Sequence, residues 1–102
     1  MIVIVSCHHP ADDERIYHKQ IISLLKKKSK ILYFTRFKSK NLSNTYIIHN
    51  NFDNDVSIDS FIKKVWDTIE KEQGITHVQI HETDLLPLLK IIKLNNKDIK
   101  TI

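Results

Sequence analysis

The sequence predicts a three-layer α/β/α domain in which a mostly parallel sheet is covered by helices on both faces. Short apolar segments rich in β-branched residues alternate with longer segments whose apolar residues recur at helical spacing. The first short segment, residues 2–7, is apolar almost throughout, which is typical of a strand buried on both faces of a parallel sheet. Alternating strands and helices connect through right-handed crossovers, which place the strands parallel in one sheet.

The segment from Asp13 to about Lys28 is predicted to form the first helix. Starting at Tyr17, its apolar residues fall at i, i+4, i+7 and i+8, so one helical face is apolar. Carboxylates at residues 12–14 and lysines at residues 26–28 complement the helix dipole at its two ends.

Two further strands and a second helix follow. Residues 30–35 are β-branched and aromatic, and residues 45–48 form a second short apolar run, so both predict strands. Ser57 is placed to cap a helix that Gly74 ends. The apolar face of that helix includes Trp66, which is therefore predicted to belong to the core.

The last third of the chain repeats the pattern. Residues 75–80 predict a strand, and Thr83 or Asp84 is placed to cap a third helix from Leu85 to about Leu94, with a proline in its first turn. Residues 99–102 begin a further strand that has no following helix in this sequence, so we expect the domain to be partial.

Composition constrains the class of protein only broadly. A chain of 102 residues with 41% hydrophobic residues fits one domain, and its net charge of +4 comes from lysines scattered through every segment, which is a weak sign of an anionic partner. Cys7 has no second cysteine to pair with, which indicates a reducing compartment. No apolar run approaches about 18 residues. We therefore expect a cytoplasmic protein, or one that is peripheral at the inner face of the membrane.

Two loops are predicted to carry the chemistry. Ligands of parallel α/β sheets bind beyond the carboxyl ends of the strands, which selects residues 7–15 and 81–84. In the first loop Arg15 is placed to bind a phosphate or carboxylate, or equally to pair with Asp12 or Asp13. His8 and His9 point to opposite sides if the backbone is extended, so we expect one of them, His9, to face the cleft.

Other chemistries find little support in the sequence. Gly74 is the only glycine, so a glycine-rich phosphate loop is excluded. His77 and His81 would lie about 13 Å apart on a strand, too far to chelate one ion. Four other residues are potential ligands but lack paired metal-ligand spacing, namely Cys7, His8, His9 and His18. We therefore predict no metal site.

Two segments carry a family resemblance. The stretch from His9 to Lys19 resembles the opening His-Pro-x-x-Asp-x-Arg-Ile-x-x-Lys signature of family-4-like glycosyltransferases. The stretch from His81 to Leu88 is similar to that family's His-Asp/Glu-x-x-Leu-Leu-Pro-Leu segment at the matching strand-to-helix junction.

The resemblance implies a function that the residues alone do not. It implies that residues 1–102 are part of the N-terminal, Rossmann-like acceptor side of a two-domain GT-B enzyme, whose C-terminal donor-binding domain is absent here, so that this chain alone is inactive. Such enzymes transfer a sugar from a nucleotide sugar to a glycan, lipid or other acceptor, as in cell-surface polysaccharide synthesis, with no cofactor and no required metal. Carried over by position, the residues at the acceptor cleft are His9, Asp12, Arg15, Lys19, His81 and Glu82.

Other readings remain open from the sequence. The basic, aromatic stretch from Lys30 to Lys40 could belong to a small nucleic-acid- or ligand-binding module, which would need two or more of its aromatic rings on a solvent face. A non-catalytic partner of another transferase is a third reading. An unpaired edge strand would also favour a homodimer.

Overall fold

The fold is a parallel five-stranded sheet with helices on both faces, described by a computed structural model that covers residues 1–10, 13–37, 40–53, 55–95 and 98–101. Of residues 14, 15, 17 and 18 it describes the backbone alone. The strands are β1 (Ile2–Ser6), β2 (Ile31–Thr35), β3 (Ile47–Asn51), β4 (His77–Ile80) and β5 (Lys100–Thr101). The helices are α1 (Ile22–Lys26), α2 (Ile58–Ile69) and α3 (Leu86–Asn95).

The order of the strands across the sheet is β3-β2-β1-β4-β5, and every neighbouring pair is parallel. The chain runs outward from β1 through β2 to β3, then crosses to the other side of β1 to form β4 and β5. The direction of winding therefore reverses between β1 and β4. In open α/β sheets this switch point is where a crevice opens beyond the carboxyl ends of the strands.

Alternate side chains of the central strands contribute to two cores, one on each face of the sheet. Val3 and Val5 of β1 pack on the side of α2 and α3. Ile4, between them, packs on the opposite side against Ile16 and Ile21. The sheet is thus covered on both faces, and the predicted three-layer α/β/α arrangement is confirmed.

The first helix differs from the prediction of one α-helix from Asp13 to Lys28. The backbone is π-helical over Glu14–Ile21 and α-helical only over Ile22–Lys26. Ile16 and Ile21, five positions apart, are both buried against the sheet. A π-helix closes its hydrogen bonds between residues i and i+5, so this spacing brings both isoleucines to the same face, which an i, i+4 template misses.

The second helix begins as predicted and ends earlier. The Ser57 hydroxyl accepts a hydrogen bond from the Ser60 backbone N–H at 3.1 Å, so the predicted N-cap is confirmed. The helix ends at Ile69, before Gly74, which adopts a positive φ of 82° in the following loop. Trp66 is half-buried and packs against the core, as expected.

Two other boundaries shift. β3 covers Ile47–Asn51 where residues 45–48 were predicted, because the polar His49 is buried in the strand and stacks on Tyr33 with ring centroids 5.0 Å apart. A 3-10 turn, Thr83–Leu85, precedes α3, and Pro87 lies in the first turn of that helix as predicted. No helix in the described ranges is long and apolar enough to cross a lipid bilayer.

The outer edge of β3 is partly covered by the chain that precedes it. The backbone N–H of Ile47 donates to Asn44 Oδ1 at 3.0 Å, and the backbone N–H of His49 donates to Ser43 Oγ at 3.1 Å. The Asn44 N–H in turn donates to the Ile47 carbonyl at 3.1 Å. These groups would otherwise form the open hydrogen-bonding row of an edge strand.

Candidate functional site

The candidate site lies at the switch point, where the loops after β1 and β4 meet. The two strands are paired in parallel, with Val5 opposite Ile80, so residues 7–10 and 81–84 leave the sheet side by side. The His81 N–H continues the pairing by donating to the Val5 carbonyl at 3.2 Å. The two loops that the sequence selected for their chemistry therefore meet at the switch point, a place that we call the crevice.

Glu82 holds this crevice together. Its Oε1 accepts the Ser6 hydroxyl at 2.8 Å and the His8 backbone N–H at 3.2 Å, while its Oε2 accepts the Cys7 backbone N–H at 3.0 Å. His9 Nδ1 lies 2.6 Å from Oε1. The Glu82 side chain is only 9% exposed, so one buried carboxylate fixes the whole start of the first loop.

The hydrogen bonds also determine the charge of Glu82. Burial alone raises the pKa of this carboxyl group, but the donors in the first loop lower it further than burial raises it, so the net pKa is lowered. The largest of the lowering causes is the backbone N–H of Cys7, followed by the side chains of Ser6 and His9 and the backbone N–H of His8. Glu82 is therefore an ionised acceptor at neutral pH.

Both imidazoles of the first loop face the second loop, which corrects the expectation that only His9 would. His8 Nε2 lies 2.7 Å from Asp84 Oδ2, and His9 Nδ1 pairs with Glu82. The expectation assumed an extended backbone, whereas the chain bends at residues 7–9 as it leaves the sheet. The bend removes the alternation that would have separated the two side chains.

Cys7 lies beneath these pairs and is fully buried, as the sequence indicated. Burial raises the pKa of its thiol to about 12, with further increases from the carboxylates of Glu82 and Asp84 and an opposing effect from Arg36. The thiol is therefore protonated at neutral pH and is a poor nucleophile.

Arg36 belongs to the same edge of the sheet, although the sequence analysis assigned it to the nucleic-acid alternative. It directly follows β2; one guanidinium nitrogen donates to the Cys7 carbonyl at 3.3 Å and another donates to the Val56 carbonyl. Ligands bind beyond the carboxyl ends of parallel strands, and Arg36 follows the carboxyl end of β2, so the same rule predicts that Arg36 lies near the site.

The sequence also did not predict that three residues whose side chains can bind metal ions lie close together in space. One ligand atom from each of Cys7, His8 and Asp84 lies within 4.8 Å of the other two. Ligand spacing along the sequence cannot indicate this group, because Asp84 pairs with His8 across 76 positions of sequence.

The structure gives less detail for the remaining predicted site residues. His81 is half-buried at the end of β4, beside Glu82. Lys19 is exposed on the π-helical segment, which also contains Arg15. Asp12 and the side chain of Arg15 lie outside the described part of the chain.

A buried polar network lies at the carboxyl ends of β2 and β3. His49 Nδ1 accepts the Leu42 N–H at 3.0 Å, so Nε2 carries the proton and donates to Thr35 Oγ1 at 2.7 Å. The Thr35 hydroxyl in turn donates to Asn51 Oδ1 at 3.1 Å. Burial lowers the pKa of His49 to about 4, so it is neutral at neutral pH.

Comparison of the chain with models of protein families, with curated proteins and with solved structures found no match.

Proposed function

We propose that this chain is the acceptor-side half of a GT-B glycosyltransferase of the family-4-like type, and that the crevice between β1 and β4 receives the acceptor. One observation carries the proposal. The two segments that resemble this family contact each other directly, through the His9–Glu82 pair, across 73 positions of sequence. Two short motif matches support the resemblance more strongly when the fold also brings them together at the place where α/β sheets bind ligands.

The contacts assign separate roles to His9 and Glu82. A carboxylate can only accept hydrogen bonds, so the ionised Glu82 requires a proton on His9 Nδ1. In the neutral ring Nε2 is then the nitrogen that accepts, which suits it to bind an acceptor hydroxyl. His9 is 26% exposed and reaches solvent, whereas Glu82 is almost covered. Glu82 is therefore a positioning residue in this proposal, and His9 is the residue that contacts the acceptor.

The donor is assigned to a second domain, as the resemblance implies. On this proposal the 102-residue chain binds a sugar acceptor but does not turn over a nucleotide sugar. Its contribution to catalysis is to hold an acceptor hydroxyl in place, which converts an encounter between two substrates into a reaction within one complex.

The nucleic-acid alternative loses its main support. Tyr33 and Phe34 are fully buried in β2, and Phe37 is 39% exposed. A stacking platform for bases needs several neighbouring rings on a solvent face. Arg36 donates to two backbone carbonyls, so it is engaged within the chain.

A binding experiment tests the proposal on the chain itself. Saturation-transfer NMR against a panel of glycans, sugar-lipid headgroups and nucleotide sugars should detect acceptor glycans or headgroups. His9→Ala and His81→Ala should reduce that binding. His77→Ala is the matched control, because His77 begins the same strand that His81 follows and therefore lies at the opposite edge of the sheet.

The outcomes separate the readings. Glycan binding that is lost in His9→Ala and retained in His77→Ala supports an acceptor site in the crevice. No binding of any sugar by the folded chain, or equal loss in the control, would overturn it, and binding of oligonucleotides instead would favour the binding-module alternative. A transfer assay on any longer gene product that contains this chain would then test the reaction.

A further inference from the structure

The residues Cys7, His8 and Asp84 combine three donor types that bind the same class of metal ion. A thiolate, an imidazole and a carboxylate are all established ligands of zinc, whereas calcium and magnesium prefer oxygen alone. The three residues come from two loops at the switch point, and one ligand atom of each lies within 4.8 Å of the others.

The spacing fits one tetrahedral ion. Ligands about 2.0–2.3 Å from a zinc ion stand about 3.5 Å from each other in a tetrahedron. His8 Nε2 and Asp84 Oδ2 are now 2.7 Å apart, so they would separate by less than about 1 Å to admit the ion. The side chains of His8 and Asp84 are 45% and 54% exposed, so both can move and an ion can reach them.

The surroundings of Cys7 also suit a cation. Its backbone N–H is fixed by Glu82, which positions the residue at the base of the crevice. The carboxylates of Glu82 and Asp84 each act on the thiol more strongly than the opposing charge of Arg36 does, so the net charge that the buried sulfur experiences is negative. A bound divalent ion would offset that charge.

We propose that Cys7, His8 and Asp84 form a binding site for a zinc-type divalent cation, with a fourth coordination position open to solvent. On binding, the sulfur releases its proton to solvent and bonds to the metal. The proton that His8 Nε2 donates to Asp84 leaves that nitrogen and moves through solvent to Nδ1, so that the His8–Asp84 hydrogen bond is replaced by two metal bonds. The ion would join the loops after β1 and β4 in addition to the Glu82 contacts. This site goes beyond the proposed function, for which the resemblance implies no metal.

Cobalt provides a specific probe, because Cys7 is the only cysteine of the chain. A thiolate bound to Co²⁺ gives a charge-transfer absorption in the near ultraviolet that imidazole and carboxylate ligands do not give. Titration of the metal-free 102-residue chain with Co²⁺ should produce this band with a stoichiometry of one ion per chain, and Zn²⁺ should then remove it by competition. Zn²⁺ should also raise the unfolding midpoint of the chain.

Substitutions test each ligand separately. Cys7→Ser should abolish the band, and His8→Ala and Asp84→Asn should each weaken Co²⁺ binding by at least about tenfold. The matched controls are His77→Ala and Asp67→Asn, since His77 lies at the opposite edge of the sheet and Asp67 lies on α2 in an exposed pair with Lys63. Neither should change the affinity.

The proposal fails if saturating Co²⁺ gives no charge-transfer band, or if His8→Ala and Asp84→Asn bind Co²⁺ as tightly as the unchanged chain does. Because these two substitutions alter exposed side chains, they decide the matter even if Cys7→Ser does not fold. The assay contains no sugar, so its outcome is independent of the acceptor proposal.

Discussion

Replacement of Glu82 by glutamine should destabilise the fold and release the first loop. Glutamine keeps the size of the side chain but removes its charge and replaces one acceptor oxygen with an NH₂ group. The Cys7 N–H, which now donates to Oε2 at 3.0 Å, would then face another donor if the amide nitrogen takes that place. Turning the amide over would transfer the same conflict to Oε1, where Ser6, His8 and His9 converge.

The magnitude follows from the number of contacts. A hydrogen bond to a charged group contributes about 1.5–3 kcal/mol, and a buried donor left without an acceptor costs about 1–3 kcal/mol. Loss of the charge therefore weakens several bonds and leaves at least one buried N–H unsatisfied. We expect Glu82→Gln to lower the free energy of unfolding by about 3–5 kcal/mol, out of a total of about 5–15 kcal/mol for a domain of this kind.

Urea unfolding at neutral pH, followed by the fluorescence of Trp66, measures this loss. Glu72→Gln is the control, because Glu72 is exposed and its substitution should change stability by less than about 0.5 kcal/mol. The folded-state pKa of Glu82 lies below its unfolded value, so its contribution is present above the unfolded pKa and is lost as the pH falls through the folded pKa. The difference between wild type and Glu82→Gln should shrink correspondingly in acid. A loss below about 1 kcal/mol at neutral pH would refute the central role of Glu82, as would a difference that persists in acid.

Three other predictions concern groups with known surroundings. Burial lowers the pKa of His49 to about 4, below its unfolded value, so its contribution to stability is present above about pH 6.5 and is lost as the pH falls toward 4. The free energy of unfolding, measured by urea titration over this pH range, should fall by up to about 3 kcal/mol in wild type but not in His49→Gln. The same dependence of the free energy on pH in both chains would contradict the network. At pH 8 the metal-free native chain should react with iodoacetamide at least about a thousandfold more slowly than urea-unfolded chain, because burial raises the pKa of the Cys7 thiol to about 12, and comparable rates would show that the thiol is accessible. Ser57→Ala should lower the free energy of unfolding by about 1 kcal/mol in urea titrations through loss of the Ser60 N–H cap, and an unchanged midpoint would argue against that hydrogen bond.

The sequence predicts the order of the elements and the position of the crevice because both depend on local patterns. Apolar periodicity distinguishes strands from helices, and the rule for parallel sheets then places the two polar loops at the same edge. The π-helical start of the first helix escapes this reasoning. Its signal is the i, i+5 pair Ile16 and Ile21, which a search for i, i+4 spacing passes over.

The arrangement inside the crevice could not be predicted from local pattern. Whether His8 faces Asp84 depends on the bend at residues 7–9, and the many contacts of Glu82 depend on how close two strands bring groups more than 70 positions apart. Glu82 reads in the sequence as a polar residue before a helix, because nothing in its neighbours indicates that four donors will converge on it. The grouping of Asp84 with Cys7 and His8 is hidden for the same reason.

The covered edge of β3 has a consequence for how this chain behaves at high concentration. A strand from a second molecule could pair there only after Ser43 and Asn44 released the N–H groups of Ile47 and His49, so existing bonds would be broken before new ones formed. Sheet extension from this side therefore faces a kinetic barrier. Shortening the 41–46 segment, or replacing Ser43 and Asn44 with alanine, should lower this barrier and favour the pairing of a second strand with β3.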